Sequence, residues 1–123
     1  MSHKILDIGN CSFDHGNVQA FLSRHFEVEL TQAHGAAQAT QLLKEENFDL
    51  VLVNRKFDRD GGDGMALIRE IKADPHLQSV PVMLLSNYPE YQQQAVAAGA
   101  LPGFGKAELD APESIEAMRA ALR

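Results

Sequence analysis

Short apolar runs alternate with amphipathic segments along the chain, and this alternation restricts the fold more than any other feature. The clearest run covers residues 50–53, and a loop rich in Asp and Gly follows it. The next segment, residues 65–72, has apolar side chains at helical spacing. Strands that alternate with short helices favour parallel pairing. The pattern therefore predicts an α/β fold, a doubly wound parallel sheet of five strands with five helices on its two faces.

The predicted elements follow from apolar periodicity and from the residues that start and stop helices. The strands are predicted at residues 4–9, 26–31, 50–54, 80–86 and 101–104, and the helices at residues 14–25, 36–46, 64–73, 89–99 and 112–122. Ser12 or Asp14 is expected to cap the first helix. The length of 123 residues suits a single domain over residues 1–123. A start at Met1 is what a stand-alone chain would have.

Composition excludes several classes of function. The net charge of −6 and the lack of a basic stripe argue against nucleic-acid binding, because phosphates are neutralised by clustered Lys and Arg. Cys11 is the single cysteine and has no partner for an internal disulfide, and no apolar run approaches the length of a membrane span. We therefore expect a reduced, cytoplasmic setting without membrane contact.

Histidine spacing and one buried acid give further expectations. The five His residues show no pair at metal-ligand spacing on a predicted helix face, so they are expected at the surface or at caps: His3, His15, His25, His34 and His76. Asp7 falls in the middle of a strand that is covered on both faces. An unpaired charge there would be costly, so Asp7 is expected to pair with Arg or Lys or to lie at a wet edge.

Four segments, in this order, resemble the receiver domain of bacterial two-component response regulators. Residues 48–53 resemble the strand before the phosphoacceptor, and residues 63–72 the helix after it. Residues 80–86 resemble the strand that ends in a hydroxyl residue, and residues 97–100 followed by Lys106 resemble the approach to the family's lysine. The resemblance covers essentially the whole chain. It implies a flavodoxin-like sheet with strand order 2-1-3-4-5.

The residues that carry receiver chemistry differ from the family pattern. The acidic pair that helps to hold a divalent ion aligns with Gly9 and Asn10, and the aspartate nucleophile aligns with Asn54; only Ser86 and Lys106 agree. A neutral amide is a poor nucleophile, and magnesium binds chiefly through carboxylates. We therefore expect a pseudo-receiver that is not an enzyme and has no catalytic residue, metal or cofactor. The five positions should converge at one edge of the sheet as a degenerate phosphoacceptor site.

The resemblance also indicates how other proteins recognise the domain. The family's switch aromatic aligns with Gly103, and Phe104 takes the next position. Receivers pair or engage effectors through the side formed by helices four and five. A candidate interaction surface there is polar and aromatic: Tyr88, Tyr91, Gln92 and Phe104. The expected function is phosphorylation-independent protein–protein interaction in two-component-type signalling, with a homodimer through this side as a further expectation.

Two alternatives remain open. The first is a receiver phosphorylated at a non-standard aspartate in the loop of residues 55–64, where Asp58, Asp60 and Asp63 stand close together. The same three acids suggest calcium, but the glutamate that would complete a calcium loop is missing. The second is a flavodoxin-like module that binds an anion or small ligand between Asn54, Ser86 and Lys106.

Overall fold

The computed structural model describes residues 2–122, in which strands and helices alternate. The elements are β1 His3–Ile8, α1 Ser12–His25, β2 Val28–Ala33, α2 Ala36–Glu45, β3 Leu50–Asn54, α3 Gly64–Ala73, β4 Val82–Leu85, α4 Pro89–Ala97, β5 Leu101–Phe104 and α5 Pro112–Ala121. A short 3₁₀ helix, Lys106–Glu108, lies between β5 and α5. No helix in this described part is both long and apolar enough to cross a membrane.

All strands are parallel, and the sheet has the order β2-β1-β3-β4-β5. The predicted fold class and strand order are thus confirmed. In the register, Ile8 pairs with Val53 and Asn54 pairs with Leu85, so the carboxyl ends of β1, β3 and β4 meet at one edge. The pairing of β4 with β5 is irregular between Met83 and Leu85.

The two faces of the sheet have separate apolar cores, as expected of a doubly wound fold. Helices α1 and α5 cover one face, where Val18, Phe21, Leu22 and Met118 pack on the side chains of Ile5, Leu50, Leu52 and Met83. Helices α2, α3 and α4 cover the other, where Leu43, Ile68, Ile71 and Ala95 pack on Leu6, Val51, Val53 and Leu84. Successive strand residues point to opposite faces, which explains why β3 and β4 are apolar at every position except Asn54, and why the inner part of β1 is apolar except for Asp7.

The observed bounds differ from the predicted ones by no more than two residues, and local hydrogen bonds explain the differences. Strand β2 begins after Phe26, because the Phe26 N–H caps α1 by donating to the Leu22 carbonyl. Strand β4 begins after Pro81, because the Val80 N–H closes a turn onto Leu77. The cap of α1 is neither predicted residue: the Cys11 sulfur accepts from the Asp14 N–H at 3.5 Å.

An ion-pair cluster ties the end of α1 to the turn before α5. Arg24 donates to Asp110 from Nε at 3.1 Å and from a terminal nitrogen at 2.5 Å, and His25 Nε2 lies 2.9 Å from the same carboxylate. Asp110 has the left-handed φ of 71°, which Asp and Asn adopt more readily than other side chains. The Arg24 hydrogen bond, with that of His25, lowers the pKa of the Asp110 carboxyl.

Replacing Asp110 by Asn tests this cluster, because Asn keeps the tolerance for positive φ and removes the charge. A carboxyl whose folded-state pKa is lowered adds stability above its unfolded pKa, and that stability is lost as pH falls through the folded value. D110N should therefore lower the urea midpoint slightly at neutral pH, and the difference from the unmodified protein should disappear in acid. E29Q, which neutralises an exposed acid on β2 that makes no side-chain hydrogen bond or ion pair within residues 2–122, is the control and should change the midpoint less than D110N does at neutral pH.

Candidate functional site

A cleft of about 330 Å³ lies at the carboxyl edge of the sheet, where the β1–α1 turn faces the loop between β3 and α3. It is lined by Cys11, Asp14, Asn54, Lys56, Phe57, Asp58, Gly61 and Lys106. This is the crevice in which doubly wound proteins place their ligands. The cleft brings Asn54 and Lys106 together, and Gly9 and Asn10 lie beside it through their contacts with these two residues.

Asn54 uses its amide nitrogen to join two loops. Nδ2 donates to the carbonyl of Lys56 at 2.7 Å and, more weakly, to that of Gly9 at 3.3 Å. An aspartate at this position would have two acceptor oxygens and no N–H to donate to these carbonyls. The asparagine therefore stabilises this loop arrangement in a way that a carboxylate does not.

The ring of Phe57 occupies the space where the side chain of residue 9 would stand. Phe57 is 2% exposed, although its neighbours in the loop are polar. A Cβ placed on Gly9 would overlap the ring at Cδ1 and lie 3.0 Å from Cε1. Gly9 also has φ of +88°, a conformation that strains residues with a Cβ. Glycine at position 9 is therefore required by the packing of Phe57 as well as by the backbone.

Lys106 pairs with an acid that sequence reasoning did not assign to the site. Its ammonium donates to Asp14 Oδ2 at 2.8 Å and to Asn10 Oδ1 at 3.2 Å. Asp14 lies in the first turn of α1, where a negative charge also interacts favourably with the helix dipole. The positive charge of Lys106 is thus largely balanced within the chain.

Beneath this pair lies a buried acid, Asp7, which is 0% exposed in the middle of β1. Its oxygens contact Asn10 Nδ2 at 2.7 Å and His15 Nδ1 at 2.7 Å. Burial raises the pKa of Asp7, and the His15 and Asn10 hydrogen bonds oppose that shift. The expected partner of Asp7, Arg or Lys, was wrong, and so was the surface or capping position expected of His15. The mid-strand Asp was itself the signal that a buried polar partner was needed.

Ser86 takes a different position from the rest of the predicted set. It follows β4 at the same edge of the sheet, but it is not among the residues that line the cleft. Its hydroxyl accepts from the Tyr88 N–H at 3.2 Å. Within residues 2–122, no hydrogen bond links Ser86 directly to Asn54 or Lys106. The hydroxyl helps to form the turn into α4.

The predicted interaction surface is only partly available. Phe104 is 7% exposed and packs edge-on against Phe21 at 5.8 Å between centroids, so its assignment to the surface was wrong. Gln92 turns its amide inward to β4 and β5. Tyr88 is exposed and contacts Tyr91. The aromatic part of the predicted surface is thus reduced to these two tyrosines.

The acids of the loop between β3 and α3 serve different local purposes. Asp63 caps α3 by accepting from the Met65 N–H at 2.9 Å, and Asp60 accepts from the Gly62 N–H at 2.8 Å. Asp58 lies in the cleft, and its N–H donates to the Gly9 carbonyl. Over residues 2–122, no three His, Cys, Asp or Glu side chains are grouped to hold a metal ion.

The residues at the positions of the family's metal site do not fit a divalent cation. Gly9 has no side chain, and Asn10 already accepts from Lys106 with its side-chain oxygen and donates to Asp7 with its nitrogen. Asn54 offers at most a neutral amide oxygen. Hard cations need several oxygen ligands, usually with carboxylates among them. The acids nearest to the site are Asp7, which is bound to Asn10 and His15, Asp14, which is paired with Lys106, and Asp58.

Comparison with known proteins points to one family. The pattern described as "Response regulator receiver domain" matches residues 14–118. No curated protein matches the chain. The structure of NtrX from Brucella abortus is 25% identical with a TM-score of 0.80; the match covers 99% of this chain but 28% of NtrX, so this chain spans about a quarter of that protein.

Two more solved structures share the fold over nearly their whole length. A putative response regulator from Chloroflexus aurantiacus is 17% identical, with a TM-score of 0.83 and coverage of 99% of this chain and 98% of that one. The signal receiver domain of a DNA-binding response regulator (merR) from Colwellia psychrerythraea is 23% identical, with a TM-score of 0.78 and coverage of 97% of both chains. At these identities the likeness shows the fold alone.

The contact between Gly9 and Phe57 can be tested by a double-mutant cycle in urea. F57A should cost about 3–5 kcal/mol, as large-to-small changes of buried aromatics do. G9A should also destabilise, because of the positive φ and the overlap with the ring. In the F57A background the cost of G9A should fall by about 1 kcal/mol or more, since the overlap is gone and only the backbone strain remains.

G16A is the matched control for this cycle. A Cβ at Gly16, within α1, would have no neighbour within 4 Å, so alanine there should stabilise the helix by up to about 1 kcal/mol. If the costs of G9A and F57A were simply additive, the ring would not be what restricts position 9. F57L serves as a milder partner if F57A is too unstable to measure.

Proposed function

We propose a phosphorylation-independent role for this chain, which belongs to the response regulator receiver domain family. As a receiver domain it is part of two-component signalling. Our proposal concerns how it acts there: as a protein–protein interaction module whose conformation does not depend on phosphoryl transfer. The observation that carries the proposal is the state of the carboxyl edge, where Asn54 and Phe57 take the space and the contacts that receiver chemistry needs.

The first support is the acceptor position. Phosphoryl transfer to a receiver requires a carboxylate oxygen as nucleophile, and Asn54 offers a neutral amide. Its nitrogen is also bound to the carbonyls of Gly9 and Lys56. An acyl phosphate therefore has no atom on which to form at residue 54.

The second support is that the position of the family's metal ion has neither the space for a cation nor the acidic pair that would bind one. The Phe57 ring lies where the side chain of residue 9 would extend, and the Asp58 N–H donates to the Gly9 carbonyl at 2.8 Å. Without a cation, the groups in the cleft that could neutralise an incoming phosphoryl group are Lys56 and Lys106, and Lys106 is already paired with Asp14. The same pairing weakens the alternative of an anion between Asn54, Ser86 and Lys106.

The third support comes from the contacts of Gly103, the residue that aligns with the family's switch aromatic. The Gly103 N–H donates to Gln92 Oε1 at 3.0 Å, and Gln92 Nε2 donates to the carbonyls of Leu84 at 2.9 Å and Ser86 at 3.1 Å. A Cβ at Gly103 would overlap the Leu84 carbonyl and lie 2.8 Å from the Met83 side chain. No aromatic fits there, and the Gln92 amide fixes β4, α4 and β5 relative to one another.

Phosphorylation is tested by incubation with acetyl phosphate and magnesium, followed by intact mass measured before the product decays. A receiver that retains all of the family's acids serves as the positive control. We expect no gain of a phosphoryl group by the unmodified chain, by N54D or by G9D/N10D/N54D. The triple variant should fail because Phe57 blocks position 9. Labelling of the unmodified chain would contradict the proposal, and labelling of N54D alone would contradict our account of the metal site.

A second candidate function has one observation in its favour. Asp58 lines the same cleft as Lys56 and Lys106, so a carboxylate that two lysines can approach is present although residue 54 is an amide. This would make the chain a receiver phosphorylated at a non-standard position. D58N separates the two candidates: a phosphoryl gain that is present in the unmodified chain and lost in D58N would favour the second. We favour the first, because Asp58 belongs to no group of three His, Cys, Asp or Glu side chains within residues 2–122 that could hold a cation, and Asp14 in the same cleft is paired with Lys106.

The contacts of Gln92 give a prediction of their own. In Q92A the Gly103 amide loses its acceptor, so its hydrogen exchange should become faster by about tenfold or more. Q93A is the matched control, because Gln93 is the exposed neighbour on the same helix and has no part in these bonds. Equal exchange rates in Q92A and Q93A would show that the amide does not fix β5. Q92E keeps an acceptor and loses both donors, so the exchange rate of the Gly103 amide in Q92E should lie between the rates in Q92A and Q93A.

The remaining expectations belong to this proposal without an observation that singles them out. Action through protein partners in a signalling pathway follows from the family. A homodimer through the side formed by α4 and α5 and a cytoplasmic location stay predictions, as does the single-domain assignment over residues 1–123.

A further inference from the structure

A stacked arginine lies where the loop after β3 meets α4. The guanidinium carbon of Arg55 lies 4.4 Å from the ring centroid of Tyr91, within the range of a cation–π contact. The Tyr91 ring in turn meets Tyr88 edge-on, with 5.9 Å between centroids. We call Arg55, Tyr91 and Tyr88 the arginine–tyrosine surface. It joins a loop of the carboxyl edge to the first turn of α4.

The Arg55 side chain has N–H donors without an acceptor. Over residues 2–122, neither a hydrogen bond nor an ion pair engages its guanidinium group; only the Tyr91 ring contacts it. Arg carries five N–H donors in a planar fork, which matches the two oxygens of a carboxylate. The contact with Tyr91 holds the guanidinium group in place in advance, so less side-chain freedom is lost when a ligand binds.

The neighbours of Arg55 restrict what can bind. Tyr88 is 58% exposed, so an apolar ring stands beside the charged group. Glu90 follows in the first turn of α4, and Asp58 lies in the same loop as Arg55. Lys56 and Arg59 in the same loop offset these two acids, so the surroundings of Arg55 have no large excess of either charge and favour a ligand with a single negative charge over a strongly charged one. Tyr and Arg are also the residue types that contribute most to binding energy at protein interfaces.

We propose that the arginine–tyrosine surface binds a partner-protein segment that carries one carboxylate side chain between apolar residues. The carboxylate accepts two hydrogen bonds from Arg55, and the flanking apolar side chains pack on Tyr88 and Tyr91. Charge complementarity with an unpaired, pre-oriented arginine supports this occupant over a basic or wholly apolar one. The inference rests on the proposed function, since it names the chemistry of the partner that an interaction module would take.

The test is an NMR titration with a blocked tripeptide that has one glutamate between two leucines. We expect saturable shifts of the Arg55 side-chain N–H and of the Tyr88 and Tyr91 rings. The counterpart with glutamine in place of glutamate should bind at least about tenfold more weakly, because it offers no charge to the fork. R55Q should lose binding of the glutamate peptide by a similar factor.

Two variants and one small acid complete the design. R59Q removes an exposed arginine from the same loop and should leave the affinity within about twofold, since rim charges contribute little. Y91F keeps the ring and should also bind. Acetate should bind much more weakly than the peptide, because it lacks apolar flanks.

The proposal is wrong if the two peptides bind alike, if R55Q and R59Q weaken binding equally, or if no shift occurs at these three side chains. Acetate that bound as well as the peptide would assign the surface to a small carboxylic acid and would overturn the proposed partner. The titration uses neither magnesium nor a phosphoryl donor. Phosphorylation of the chain in the mass experiment would therefore contradict the proposed function without changing this result, and a failed titration would leave the mass result as it stands.

Discussion

The packing of the Phe57 ring against the bare backbone of Gly9 determines the shape of the carboxyl edge. Three groups from the end of β3 and the loop after it converge on Gly9: the Phe57 ring, the amide of Asn54 and the N–H of Asp58. A side chain at position 9 would separate them, so the missing acid and the inserted ring depend on each other. The turn after β1 and the loop after β3 thus pack together at Gly9 and Phe57, beside the cleft that Asn54 and Lys106 line.

Charge at this edge is balanced by contacts that run inward from the cleft. Asp14 pairs with Lys106, Lys106 donates to Asn10, and Asn10 donates to the buried Asp7, which also contacts His15. A buried carboxyl group is tolerated only when its oxygens have hydrogen-bond partners, and here both do. The lysine that agrees with the family pattern therefore serves a structural purpose in this chain, because it links α1 to the turn that follows β5.

The sequence predicted the fold better than the site. Apolar periodicity located all strands and helices to within two residues, because the faces of a doubly wound sheet restrict nearly every position of β1, β3 and β4. The position of the Phe57 ring against Gly9 was not predicted, although Phe57 is the one apolar side chain in a loop of charged residues and glycines. Nothing in local spacing tells where a loop side chain packs. The pairing of Asp7 with His15 was missed for a related reason: the strand position demanded a partner but did not identify it.

The two sides of α4 are held by different kinds of contact, and this affects how a partner meets the domain. On the inner side, Gln92 joins the helix to β4 and β5 through three hydrogen bonds. On the rim, Tyr91 holds the helix to the loop after β3 through Arg55. A receiver that signals by rearrangement needs freedom at both places. Both places are occupied by contacts in this structure, and under the proposed function a partner meets a surface of fixed shape, so that its affinity depends on the chemistry of that surface.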